Sequence, residues 1–217
     1  FISSGNLSKG RPSVLIKNQG ISLMKEGIIV EYHTIKGKGI LGYLNSIPSI
    51  LKKIKSTSPN VIHSHYSLSA FATTLALLIY RLKFPHIVSL MGSDSKMLGW
   101  KKTLTKVFSK YNWDITIVKS ESIARDLGID EYHVLPNGVD LSTLKLKNII
   151  PNNIILFPAN PSRESKNFKL AKEAFNIAKK QLSDLELEVC YGVTHDKMIT
   201  KLQYSGIVLI TLSLIHI

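Results

Sequence analysis

Between Tyr32 and Ser93 the sequence contains no aspartate or glutamate. Lys36, Lys38, Lys52, Lys53, Lys55, Arg81 and Lys83 fall in that stretch, so its surface is expected to attract anions such as nucleic acid, anionic lipid headgroups or phosphorylated substrates. The imbalance extends over all 217 residues, where 28 Lys and Arg against 15 Asp and Glu give a formal net charge of +13. A second cysteine is missing too. Cys190 alone excludes an intramolecular disulfide framework and points to a reducing, cytoplasmic compartment. Its place in the apolar alternation of Leu185, Leu187 and Val189 reads as a buried strand thiol. No apolar run is long enough to span a bilayer. The longest uncharged one, Tyr66–Tyr80, includes Ser67, Ser69, Thr73 and Thr74. It is shorter than the ~20 residues a crossing helix needs, and is expected to be a buried helix packed on a sheet. The chain opens on Phe1 rather than Met, inside a strand-like segment, Phe1–Ser3, so a start further upstream is expected.

Hydrophobic residues make up 44% and charged residues 20%, which predicts a packed core rather than wholesale disorder. Short runs rich in Val and Ile alternate with helical patterns. Strands are expected at Ile28–Thr34, Val61–Ser64, His86–Leu90, Ile115–Lys119, Tyr132–Leu135, Ile154–Pro158, Leu185–Tyr191 and Ile207–Thr211. Helices are expected near 12–27, 44–56, 67–82, 100–111, 120–127, 167–182 and 195–204. In the sixth of these, Phe168, Ala171, Phe175, Ala178 and Leu182 recur at three- and four-residue steps. Strand followed repeatedly by helix predicts an α/β fold with a parallel sheet wound on both faces. Residues 141–153 carry no period and end in Pro-Asn-Asn. A boundary is therefore expected near 147–152, with one domain over 1–147 and the truncated start of a second over 148–217.

Five short segments carry candidate chemistry. Gly37-Lys38-Gly39-Ile40-Leu41-Gly42 has the spacing of a dinucleotide fingerprint. The acidic residue that should follow about 20 positions later is absent, so a flexible basic loop is expected instead. His63 and His65, in one strand, are expected to point to opposite faces and so not to share a metal, with His65 nearer a cleft at the strand's C-terminal end. Gly92, Ser93 and Asp94 end the next strand, where open parallel sheets bind ligands. There Asp94 can accept hydrogen bonds from sugar hydroxyls, and it is the one catalytic candidate. Asn137-Gly138 reads as a tight turn with positive φ. Arg163 and Lys166 follow a strand and precede a helix, which suits a diphosphate.

In order along the chain, VIHSHYSLSA, VSLMGSD, TIVKSESIARDLGI, VLPNGVD and ILFPANPSRESKNFKLAKEAF resemble the GT4-type retaining glycosyltransferases of the GT-B fold. The resemblance implies two Rossmann-like, doubly wound domains: an N-terminal one that holds the acceptor and a C-terminal one that holds a nucleotide-sugar. It implies transfer of a hexose-type sugar to a polysaccharide or lipid-linked acceptor with retention, and no metal or other cofactor, since basic side chains and helix amides neutralise the leaving diphosphate. Arg163 and Lys166 would be those cations, although the family's arginine stands about five residues before the lysine and here it stands three before. His65, Gly92, Ser93, Asp94, Asn137 and Gly138 would line the acceptor side. Met91 stands where many members have a histidine on the transferred sugar. The family's glutamate-containing donor motif would fall beyond residue 217, so the chain is expected to be inactive alone. Such enzymes often meet lipid-linked acceptors at the cytoplasmic face of the membrane, and Lys52, Lys53 and Lys55 would suit peripheral attachment there.

Two other readings stay open on the residues. One is a non-catalytic basic nucleotide- or nucleic-acid-binding module. The other is a nucleotide-sugar epimerase of the same fold. Nucleic acid is not expected as a partner, because the basic residues are dispersed and no aromatic-interleaved patch accompanies them.

Overall fold

The structure is a computed structural model that describes residues 1–6, 8–37, 39–96, 98–139 and 152–211. The chain divides into two compact units, Phe1–Gly138 and Val139–Ile217. Most of the boundary expected at 147–152 lies outside the described residues, as do Lys38 and Asp140.

In the first unit, strands β1 (Ile2–Ser4), β2 (His33–Ile35), β3 (Ile62–His65), β4 (His86–Ser89), β5 (Ile115–Val118) and β6 (His133–Val134) form one sheet in the order β2-β1-β3-β4-β5-β6. Every pairing is parallel. Helices α1 (Val14–Lys25), α2 (Gly39–Leu44), α3 (Ile47–Thr57), α4 (Ser67–Ile79), α5 (Trp100–Tyr111) and α6 (Glu121–Leu127) make the crossovers, as parallel strands require.

The uncharged run at Tyr66–Tyr80 is the buried helix α4. A helix apolar on all sides belongs inside, and Ala70, Phe71, Ala72, Ala76 and Leu77 are buried. Its hydroxyls are buried with it, and two of them bond within the helix and just past the end of α5. Thr73 donates to the Ser69 carbonyl at 2.9 Å, and Thr74 accepts from the Trp113 indole at 2.9 Å. α4 thereby joins two apolar clusters. Phe71 packs with Phe108, Trp113, Ile123 and Leu127 on one side, and Ala72, Ala76 and Leu77 pack with Ile50, Leu51 and Ile54 on the other. Each fully buried Leu or Ile contributes roughly 1.5–3 kcal/mol. α6 ends where Gly128 turns to φ 69° and returns its N–H to Ala124 and Arg125.

Two expectations shift here. The second strand is His33–Ile35 rather than Ile28–Thr34, and Ile29 is 91% exposed. Its place is set by register with β1, where Ile2, Ser3 and Ser4 lie opposite His33, Thr34 and Ile35. A short helix, α2, also forms at residues expected to be loop, and the next helix starts at Ile47.

The second unit holds β7 (Ile154–Phe157), a 3-10 turn at Glu164–Lys166, α7 (Phe168–Lys179), β8 (Glu186–Val189), α8 (His195–Tyr204) and β9 (Ile207–Val208), in a parallel sheet ordered β8-β7-β9. The helix expected at 167–182 is α7. Asn167 caps it by accepting from the Leu170 amide, and Ala171 is the buried residue of its inward stripe. Cys190 is buried beside this sheet, its amide on the Phe157 carbonyl at 3.0 Å.

Candidate functional site

Because all six strands of the first sheet run in parallel, the loops after them gather at one edge. Between β1 and β3 the order reverses: the chain leaves β1 for β2 on one side, and β3 for β4 on the other. Such a switch point opens a crevice in a doubly wound sheet. Asn6, just after β1, ties the loops on the β1 side together. Its side-chain amide donates to the Gly37 carbonyl at 2.6 Å, and its carbonyl accepts from the Gly37 amide at 2.9 Å. The Thr34 hydroxyl donates to the Gly10 carbonyl at 2.7 Å. No motif marks Asn6 in the sequence, although a Gly-Asn pair directly after the first strand is an available signal. Gly37–Gly42, expected as a flexible loop, is instead fixed at Gly37 by Asn6. A Cβ on Gly42 would lie 2.4 Å from the Gly37 carbonyl carbon, so these glycines permit the chain to pack on itself.

On the other side of the switch point stand His63 and His65. The expectation of opposite faces is corrected: strand positions two apart share a face, and the two imidazoles stack with centroids 4.2 Å apart. Phe1 meets both rings edge-on at 5.1 and 4.9 Å. His63 Nε2 lies 2.9 Å from the Ser89 hydroxyl. His65 is 1% exposed, with Nε2 unpartnered among the described residues. It faces Phe1 and His63 rather than an open cleft. Burial pushes the imidazole of His63 down to about 3 and that of His65 to about 2. On the opposite face His86 is likewise buried, Nε2 at 2.8 Å from the Ser64 hydroxyl, and is pushed down to about 4 by burial.

Asp94 lies after β4 and is 0% exposed. One carboxylate oxygen accepts from the Ser67 hydroxyl at 2.8 Å and the Ser67 amide at 3.3 Å, and the other from the Met91 amide at 2.6 Å. Burial raises its carboxyl to about 6, against the pull of these hydrogen bonds. Its oxygens are thus engaged by the protein and not open to a sugar hydroxyl. Gly92 and Ser93, on the same loop, are exposed, and a Cβ on Gly92 would meet nothing within 4 Å. Asn137 and Gly138 are exposed beyond β6. They do not form the expected turn, and Gly138 is not at positive φ. The Leu135 amide still bonds the Val118 carbonyl at 2.9 Å, which carries the chain on in line with β6.

In the second unit the order also reverses, at β7, between β8 and β9. The loop leaving β7 carries Arg163, which is exposed, and Lys166, which is half-buried, and runs into Asn167 and α7. Neither cation forms an ion pair among the described residues. The Thr211 hydroxyl, beyond β9, reaches the carbonyls of Lys166 at 2.7 Å and Asn167 at 3.0 Å. The two segments that flank this switch point are therefore bonded to each other.

Residues 12–143 match Glycosyltransferase Family 4. The chain belongs to that family. Among solved structures it is similar to a glycosyltransferase from Rickettsia africae (15% identity, 97% of this chain and 64% of that one, TM-score 0.52). It is also similar to a Listeria monocytogenes protein assigned as a UDP-N-acetylglucosamine 2-epimerase (14% identity, 98% and 68%, TM-score 0.52). A UDP co-structure of MnaA from S. aureus matches at 14% identity over 88% of this chain and 57% of that one, with a TM-score of 0.44. The chain thus spans 57% to 68% of the length of these three proteins. No curated protein matches it. The fold is the GT-B kind, with a six-stranded Rossmann-like sheet in the first unit and three strands of a second in the other.

The loop between β7 and α7 thus presents two cations, without ion pairs among the described residues, ahead of a helix amino terminus. Among the described residues no group of three His, Cys, Asp or Glu could hold a metal ion.

Proposed function

We propose that this chain belongs to an enzyme that moves a hexose-type sugar from a nucleotide-sugar to a polysaccharide or lipid-linked acceptor, with retention at the anomeric carbon. The observation that carries the reading is the loop of Arg163 and Lys166 at the second sheet's switch point, running into the capped amino terminus of α7. Family membership supports sugar transfer as the reaction. In this reading the acceptor hydroxyl oxygen bonds to the anomeric carbon as the bond from that carbon to the diphosphate oxygen breaks. The hydroxyl proton passes to the departing phosphate, and the two cations stabilise its growing charge. No metal, cofactor or protein base is required, and nucleic acid is not a partner.

The acceptor would be met in the cytoplasm at an anionic membrane surface. No described helix is long and apolar enough to cross a membrane, so attachment would be peripheral. Lys53 is already paired with Glu31 at 2.8 Å. Lys52 and Lys55 border an open surface depression of about 540 Å³ together with Pro48, Leu51, Ser56 and Tyr80, and Tyr80 is exposed. Lysines beside an exposed aromatic side chain suit lipid headgroups and the acyl boundary.

The test is turnover of UDP- and GDP-sugars by the full-length protein with and without a membrane lipid extract. Nucleotide release that requires the extract supports transfer. Turnover of the sugar without any acceptor supports an epimerase, an activity assigned to one protein of similar fold. Binding of no sugar-nucleotide sinks both readings.

A further inference from the structure

We propose that Asp94 is a positioning residue: its carboxylate latches the loop after β4 onto the first turn of α4, and so holds Gly92 and Ser93 at the edge of the sheet. Its place in catalysis rests on the transferase reading, whereas the latch itself does not.

α4 lacks a local cap. The residue before it is Tyr66, at φ 78° and ψ 137°, and its side chain makes no capping bond. A bulky residue in that backbone region is strained and persists only when its surroundings over-determine it. Here they do. The Tyr66 amide is fixed on the Ser89 carbonyl at 2.9 Å, which continues the pairing of β3 with β4. The next residue, Ser67, is fixed through both amide and hydroxyl by Asp94, from 27 positions away.

Asp94 also closes its own loop. Its second oxygen takes the Met91 amide at 2.6 Å, and its own amide returns to the Met91 carbonyl at 2.8 Å. One buried carboxylate thus joins the end of β4 to the start of α4. No ion pair reaches it among the described residues. Tyr66 is a titratable side chain that faces it, with a phenol raised first by burial and then by the Asp94 charge. The charge is balanced by N–H and O–H donors and by the positive end of α4. A buried carboxylate without a cation is a costly way to cap a helix. Its position fits a different purpose: the two residues it brackets with Met91, Gly92 and Ser93, are both exposed at the carboxyl-end edge of the sheet.

The experiment is residue-resolved amide hydrogen exchange near neutral pH on the full-length protein and its Asp94→Asn variant. The substitution keeps the shape but turns an amide donor toward either the Met91 or the Ser67 donors. Exchange at Met91 or Ser67 is expected to accelerate about tenfold, the loss of one charge-assisted hydrogen bond, with the melting temperature nearly unchanged. In the nucleotide-release assay KM for the acceptor extract should rise several-fold while kcat stays close to that of the wild type. Ser67→Ala, which removes one donor and keeps the charge, should give a smaller change in the same direction, and it serves if Asp94→Asn does not fold. Unchanged exchange at both amides overturns the latch. Faster exchange with unchanged KM overturns the positioning role. A wild-type protein that transfers no sugar counts against the transferase reading, and the exchange data then decide the latch alone.

Discussion

The imidazoles of His63 and His65 stack at 4.2 Å within a single parallel strand, and both are closed off from water. Buried imidazoles without a carboxylate partner resist protonation, and burial lowers both far below the ordinary histidine value. In the unfolded chain they protonate near 6.5. Below that value the unfolded state binds protons that the folded state refuses. Stability is therefore fully present above about 6.5 and falls with acid, by about 1.4 kcal/mol per pH unit for each such histidine. His86, lowered to about 4 by burial, adds to the slope until it protonates itself.

Urea denaturation of the first unit's signal, followed by Trp113, should show this loss as the pH is taken from neutral to about 4.5. His65→Phe should flatten the slope by the share of one histidine. A pH-independent midpoint would contradict the burial of these rings.

Asn6 makes two hydrogen bonds to the Gly37 backbone, from the loop after β1 to the loop after β2. Asn6→Ala leaves that amide and carbonyl without their partner, a cost of about 1–3 kcal/mol. Chemical denaturation should register it, and Asn6→Asp, which keeps only the acceptor, should fall between the two. Full stability in Asn6→Ala would mean that water replaces the side chain.

Charge on α3 is predicted to matter unevenly. Lys52→Glu with Lys55→Glu should weaken flotation with vesicles of anionic lipid, and raised salt should weaken the wild type in the same way. Lys53→Ser should have a smaller effect, since Glu31 already neutralises that lysine. Equal binding to neutral vesicles would remove the electrostatic part of the account.

Where information was local, the sequence was readable. Strand and helix order, the buried thiol of Cys190, the buried helix at Tyr66–Tyr80 and the inward stripe of α7 all follow from periodicity within one element. Where it was not local, the reading went astray. β2 is placed by its register with β1, and no pattern within residues 28–34 records that. Asp94 looked available because its chief partner, Ser67, lies 27 residues earlier. Asn137-Gly138 has turn chemistry, yet no turn forms there and Gly138 is not at positive φ. The histidine pair was misplaced by parity alone, since alternation puts neighbours, not next-neighbours, on opposite faces.

The loop of Arg163 and Lys166 is proposed to receive the diphosphate of a sugar donor. The most direct test is nucleotide release by full-length Lys166→Ala beside the wild type, with the preferred donor and the lipid extract, after circular dichroism has shown the fold intact. Release is expected to fall about a hundredfold or more, as when a cation facing the developing charge is removed. Release at the wild-type rate would contradict diphosphate binding at Lys166.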